Sequence, residues 1–255
     1  DLVRSRGLGD VYKRQIYMYK KYDILKGDKS ERVLDRRFIT NLCMNGVPMG
    51  LQYSITAIGS TILQAAVNTL GSTYVAAMTA GSKMFNFTCC PFDALGSTMA
   101  TYAGQNVGAA KIKRLGQGVR SAMIIGSIYS VLSLVALYFT TDYIALLFVN
   151  ASETTIIALT RQFILASACF YIPLTGVNVV RFCIQGMGFS VFAISAGILE
   201  MIGRAFAAII LIPSIGFMGA CLASPIAWIA ADAFLFPAFI HCAKKLNARH
   251  NIKSN

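Results

Sequence analysis

The run Ile194-Ser-Ala-Gly-Ile-Leu-Glu-Met-Ile-Gly-Arg-Ala-Phe-Ala-Ala-Ile-Ile-Leu211 sets one acid, Glu200, and one base, Arg204, four residues apart in an otherwise apolar stretch. At that spacing on a helix the two side chains are neighbours on one face. Two kinds of chemistry are open to them: an internal ion pair that holds helices in register, or a carboxylate that handles a proton, an ion or a charged substrate. Ala196 and Ala208 share their face, with Ala193, Gly197, Gly203 and Ala207 on its flanks. Such a small-residue side packs on protein or lines a cavity rather than meeting lipid. Other charges stand in apolar runs: Lys83 and Arg161 are positive, Asp93 and Asp232 negative. Ionisable groups are costly in hydrocarbon and usually face a bundle interior. Lys83 and Glu200 each lie roughly ten residues in from opposite ends of their runs, which at about 1.5 Å per residue brings both near the midplane. Lys83 is therefore expected to reach Glu200. Asp93, two residues after Pro91, is expected to cap a kinked half-helix.

The elements that must carry these residues are helices in a membrane. Of 255 residues, 56% are hydrophobic and 13% charged, where an ordinary soluble domain has about 25% charged. Apolar runs near 39–68, 74–103, 118–140, 154–183, 190–213 and 217–241 are each long enough to cross a core of about 30 Å with about 20 residues, which predicts an all-α polytopic protein of six spans. Pro48, Pro91 and Pro173 fall within runs and should bend or break them. Residues 1–37 hold 11 of the 23 Lys and Arg. Lys111, Lys113, Arg114 and Arg120 follow the second run, and Lys244, Lys245, Arg249 and Lys253 the last, whereas 69–73, 141–153 and 214–216 contain no base. By the positive-inside rule both termini are cytoplasmic, with 242–255 a cytoplasmic tail.

The same placement explains the net charge of +12 without nucleic acid as a partner. The seven cysteines form no C-x-x-C pair and the two histidines stand near the C-terminal edge, so no metal site is legible. No nucleophile with a base, and no cluster of His and carboxylates, occurs at membrane depth, so the chain does not read as an enzyme and no catalytic residue is assigned. Gly27-Asp-Lys-Ser30 lacks the preceding glycine of a phosphate-binding loop. Residues 1–15 have neither an apolar core nor a helical period and are expected to be a foreign or disordered leader.

Ser97 to Arg114 ends a run and enters a basic loop. Gly104 and Gly108 are expected to break the helix there, Gln105 and Asn106 to satisfy exposed backbone groups, and the lysines to anchor at headgroups. Gly104-Gln-Asn-Val-Gly-Ala109 with its basic cluster resembles the signature of the multidrug and toxic compound extrusion (MATE) transporters. Gly46-Val-Pro-Met-Gly-Leu51, Val75-Ala-Ala77, Gln185-Gly-Met-Gly188 and Glu200 with Arg204 follow the same order. The resemblance covers about residues 16–250. It implies that 38–241 form the second six-helix lobe of a twelve-helix antiporter, with Ile16–Tyr19 a remnant of the sixth span and 16–37 a cytoplasmic loop between lobes. The partners it implies are membrane lipid, the N-terminal lobe, which this chain lacks, and a small-molecule drug or toxin.

The resemblance further implies export of amphipathic, often cationic compounds across the cell membrane, coupled to H+ or Na+ entry and needing no other cofactor. Glu200, Arg204, Lys83 and Asp232 are the candidate cavity or ion-pair residues. Gly104, Gln105, Asn106 and Gly108 form the motif loop. The sodium-coupled branch carries carboxylates in the first and fourth spans of this lobe, whereas here Thr56 takes the first-span position and neither span has an acid. The resemblance is accordingly to the DinF-like branch, whose proposed coupling carboxylate belongs to the other lobe. The alternative it leaves open is a flippase of the related superfamily that moves lipid-linked saccharides.

Overall fold

The structure, a computed structural model, describes residues 2–22 and 35–253 and divides into two units, Asp1–Cys43 and Met44–Asn255. In the first unit, α1 (Leu2–Lys21) is helical where the sequence shows no helical period and a leader is expected. Its support is local, as Lys21 Nζ donates to Tyr17 Oη at 2.9 Å and lies over the same ring. Helix α2 (Arg36–Asn68) then leads into the second unit. The stretch 23–34, part of the expected inter-lobe loop, lies outside the described residues.

The second unit continues with α3 (Ser72–Gly108), α4 (Lys113–Ala145), α5 (Thr154–Ala168), α6 (Tyr171–Gly186), α7 (Ser190–Phe206), α8 (Ile212–Ile215) and α9 (Phe217–Lys253). A π-helical turn, Ala207–Leu211, joins α7 to α8 in one rod. Among the described residues there is no strand. The rods Lys113–Ala145, Ser190–Ile215 and Phe217–Ala248 are each long and apolar enough to cross a membrane, and α5 and α6 qualify together as one span bent by 52°. Helices α2 and α3, at 33 and 37 residues, have the length but carry more polar groups. Their hydroxyls turn back on their own backbone, Thr61 Oγ1 donating to Ala57 O at 3.0 Å and Thr79 Oγ1 to Val75 O at 2.7 Å. Hydroxyls satisfied in this way expose little polarity to lipid.

The prolines act unequally. Of the expected bends or breaks, Pro48 and Pro91 make no break, since both sit inside unbroken α2 and α3. Each removes one ladder donor, a loss that a long helix with intact turns on either side absorbs. Pro173 does accompany a break. It is the third residue of α6, where an N–H has no intrahelical acceptor in any case, and its ring bars helical continuation from Cys169, four residues back. The helix accordingly stops at Ala168 and restarts at Tyr171.

Close backbone approaches hold the rods together. A Cβ on Gly203 would lie 2.9 Å from Ala227 Cα, where α7 crosses α9, and Ala220, Ala223, Ala227 and Ala231 form a buried strip along α9. Phe92, Tyr129 and Tyr171 meet edge-on at 5.0 and 5.4 Å and tie α3, α4 and α6 together. A Cβ on Gly186 of α6 would strike the carbonyl of Ala100 on α3, whereas one on Gly104 would meet only Gly186 O at 3.6 Å. Gly186→Ala is therefore expected to destabilise by about 1–3 kcal/mol through overpacking. Gly104→Ala should be neutral or stabilise by up to about 1 kcal/mol through helix propensity. Detergent-solubilised abundance and melting temperature of the two variants check this contrast, and equal losses would contradict it.

Candidate functional site

The small-residue face of α7 is buried, and Glu200 and Arg204 are 3% and 7% exposed. Opposite them, α6 presents Arg181 at 8% exposure. Arg181 Nη2 forms an ion pair with Glu200 Oε1, and Arg204 Nη2 donates to Glu200 Oε2 at 3.4 Å. One carboxylate is thus clamped by two guanidinium groups, one from its own helix and one from the preceding helix, α6. Arg has five donors in a planar fork and stays charged when buried, which suits it to such a clamp.

Around this triad the polar character continues. Gln185 Nε2 donates to Gln52 Oε1 at 2.7 Å, linking α6 to α2, and Gln52 packs on Gly197 of α7. Asp232 of α9 rests against Gly176, where a Cβ would lie 2.6 Å from Oδ2 and displace it. Arg181, Arg204, Glu200 and Asp232 balance in charge. Arg181 Nε, Arg204 Nη1, Gln185 Oε1, Asp232 Oδ1 and Thr56 Oγ1 are buried without hydrogen-bond partners among the described residues. Unmet buried polar atoms are costly, and a network that keeps several is a place where a proton or polar ligand has something to bind.

The structure corrects the expected role of Lys83. It does not meet Glu200: its Nζ lies 5.5 Å from the Phe148 ring centre, on a groove bounded by the end of α4 and the following connector. Counting residues fixes depth along a helix axis but not the direction in which a side chain leaves it. Arg181 takes the place given to Lys83. The signal for it was present in the spacing of Asn178, Arg181 and Gln185, which repeats a polar residue every three or four positions on α6. Asp93 is exposed on unbroken α3 and caps no half-helix. Arg161 lies apart from the triad, ion-paired with Asp142 and over the Tyr138 ring at 5.3 Å.

The motif loop also differs from expectation at Gly104, which stays inside α3 because its surroundings demand no turn there; Gly108 is the last helical residue. The turn itself falls on Ala109–Ile112, with Ala110 at φ 61°. Asn106 Nδ2 donates to Tyr102 O at 2.8 Å, and Asn106 O accepts from Lys111 N at 2.8 Å. Tyr102 Oη donates to Arg114 O at 3.1 Å, and a Cβ on Gly118 would collide with the Tyr102 ring. These contacts make the loop a tightly knit helix-to-helix turn, with Lys111, Lys113 and Arg114 facing outward.

Long apolar rods, strands absent among the described residues and an ion network shut inside the bundle define an all-α polytopic membrane protein. The MatE family model matches residues 48–210, most of the chain, and the chain belongs to that family. It is 25% identical over 146 residues to the probable multidrug resistance protein YoeA of Bacillus subtilis (strain 168), covering 56% of this chain and 32% of that one. A crystal structure of a MATE protein in complex with MaL6 superposes with a TM-score of 0.84 at 16% identity, over 94% of this chain and 56% of that one. The outward-facing conformation of a multidrug resistance MATE family transporter of the MOP superfamily superposes at 0.77 and 16% identity, over 85% and 49%. At these identities the likeness is one of fold. The chain spans about a third of the curated relative and about half of the solved chains.

Breaking a buried pair leaves an uncompensated charge at a cost of about 3–5 kcal/mol. Glu200→Gln in the complete protein should therefore lower folded abundance. A second change, Arg181→Gln or Arg204→Gln, should restore part of it, while Lys83→Gln should restore none. Quantifying membrane-inserted protein in the three double variants tests the triad, and rescue by Lys83→Gln alone would overturn it.

Proposed function

We propose that this chain is the second six-helix lobe of a secondary active exporter, which moves amphipathic or cationic compounds outward in exchange for entering H+ or Na+. The observation that carries the reading is the buried Arg181–Glu200–Arg204 cluster, with Asp232 against Gly176 on the same helix as Arg181, inside a MATE-family fold. Ionisable groups buried within a membrane bundle are costly and mark ion or substrate pathways. The multidrug resistance relative supports drug-like substrates. Thr56, and the absence of acids on α2, α5 and α6, argue that coupling does not run through carboxylates on the first and fourth spans.

The basic connectors support a cell-membrane orientation with both termini in the cytoplasm. In a cysteine-free background, Ser72→Cys and Ser152→Cys should then react with an impermeant maleimide from outside, and Lys113→Cys only after permeabilisation. External labelling of Lys113→Cys would reverse the topology.

For activity, the complete transporter in proteoliposomes should accumulate or release a cationic dye when a proton or sodium gradient is imposed, and lose that flux when the gradient is collapsed. Gradient-independent behaviour, together with rescue of a strain deficient in export of lipid-linked saccharides, would replace this reading with the flippase of the related superfamily.

A further inference from the structure

Lys83 is left unexplained by the buried triad. It stands eleven residues into α3, roughly 16 Å along the axis from Ser72 at 1.5 Å per residue, and it is exposed. Among the described residues it has no ion-pair partner. Helix α3 has 37 residues, roughly 55 Å against a hydrocarbon core of about 30 Å. Centred in that core it overhangs at both ends, so Lys83 stands near the core's edge at the Ser72 end rather than at the midplane expected from the sequence. Its Nζ, leaning toward the helix N-terminus, reaches headgroup level.

Two cavities meet at Lys83 and Phe148. The one running toward Ser72, of about 610 Å³, is lined by Ser72, Thr73 and Thr79 of α3 and by Asn150 and Glu153 across from them. The other, of about 530 Å³, is lined mainly by apolar side chains, among them Met84, Phe87, Leu137 and Leu147. Glu153 lies toward the Ser72 end. Helices α3 and α5 run side by side in the same direction, as Thr160 Oγ1 donates to Ala77 O at 3.3 Å and Gly81 packs on Phe163. Glu153 occupies the N-cap position of α5, yet its carboxylate makes no capping hydrogen bond. From the Ser72 end inward the order is a carboxylate and then an ammonium, neither with an ion-pair partner among the described residues, and then an apolar trough.

The geometry points to a binding site for an aminophospholipid in this groove. A lipid of the leaflet at the Ser72 end presents the complementary order: a primary ammonium outermost, a phosphate next and acyl chains deepest. Lys83 takes the phosphate as a charge-assisted hydrogen bond, Glu153 the ammonium, and the trough between α3 and α4 one acyl chain. A singly anionic headgroup without an amine satisfies Lys83 and leaves Glu153 facing a negative lipid. The groove therefore prefers phosphatidylethanolamine over phosphatidylglycerol. This inference rests on the chain spanning a membrane and not on the direction or cargo of transport.

The test uses the complete transporter, delipidated in detergent and titrated with phosphatidylethanolamine, phosphatidylglycerol or phosphatidylcholine, with bound lipid read by native mass spectrometry and stability by thermal melting. Wild type should retain phosphatidylethanolamine in preference to the other two and melt higher in its presence. Lys83→Gln should lower that retention by about tenfold or more, while Lys83→Arg keeps it. Glu153→Gln should still bind phospholipid but lose the preference for ethanolamine over glycerol headgroups. Equal retention of all three lipids by wild type, or unchanged retention in Lys83→Gln, would overturn the site. Either result leaves gradient-driven dye flux to be judged separately.

Discussion

A carboxylate buried at the crossing of helices must be compensated, and the packing around Glu200 follows from that constraint. Arg204 reaches it from one turn along α7 and Arg181 from α6, while Gly203 against Ala227 of α9 and Gly197 against Gln52 of α2 let two further helices close over the same face. Larger residues on those faces would separate the rods and open the charges to lipid, where ionisable groups are costly. The small-residue seams and the charge cluster thus share one face of α7: the seams shut the charges away from lipid, and the Arg181–Glu200 pair selects one rotational setting of α6 against α7.

The bend in the fourth span belongs to the same arrangement. Its first half, α5, is fitted to α3 through Thr160 on Ala77 and Phe163 on Gly81. Its second half, α6, carries Arg181 to Glu200 and lays Gly176 against Asp232. A straight helix would hold both sets of contacts only if α3 and α7 ran in compatible directions along its whole length. The 52° change of direction removes that requirement.

Much of this was readable in the residues. The face of α7 was legible because its period of small residues is regular and Glu200 and Arg204 fall within it, so burial followed from helical geometry. The long helices were legible from their apolar runs, though α2 and α3 fall short of the apolarity that the rods Lys113–Ala145, Ser190–Ile215 and Phe217–Ala248 reach. The partner of Glu200 was not, since depth alone could not tell that α3 turns Lys83 toward Phe148 while α6 turns Arg181 inward. Nor could the sequence distinguish prolines that a helix tolerates, Pro48 and Pro91, from Pro173 at a break. The difference lies in neighbouring helices and in position within the turn. Gly104 misleads for a related reason: it is an ordinary helical residue of α3 with room for a Cβ, and the close approach to α6 is made by Gly186.

The uneven apolarity of the rods has a consequence for biogenesis. Each span partitions from the translocation machinery into lipid according to its own residues, and polar side chains near the centre of a helix weigh against release. Helices α2 and α3 emerge from the ribosome before α4 but are less apolar than the rods Lys113–Ala145, Ser190–Ile215 and Phe217–Ala248. The order of synthesis therefore runs opposite to the order of autonomous insertion. The two early helices rely on later ones to hold them in the bilayer, and between those events Gln52 waits for Gln185, which is made 133 residues afterwards.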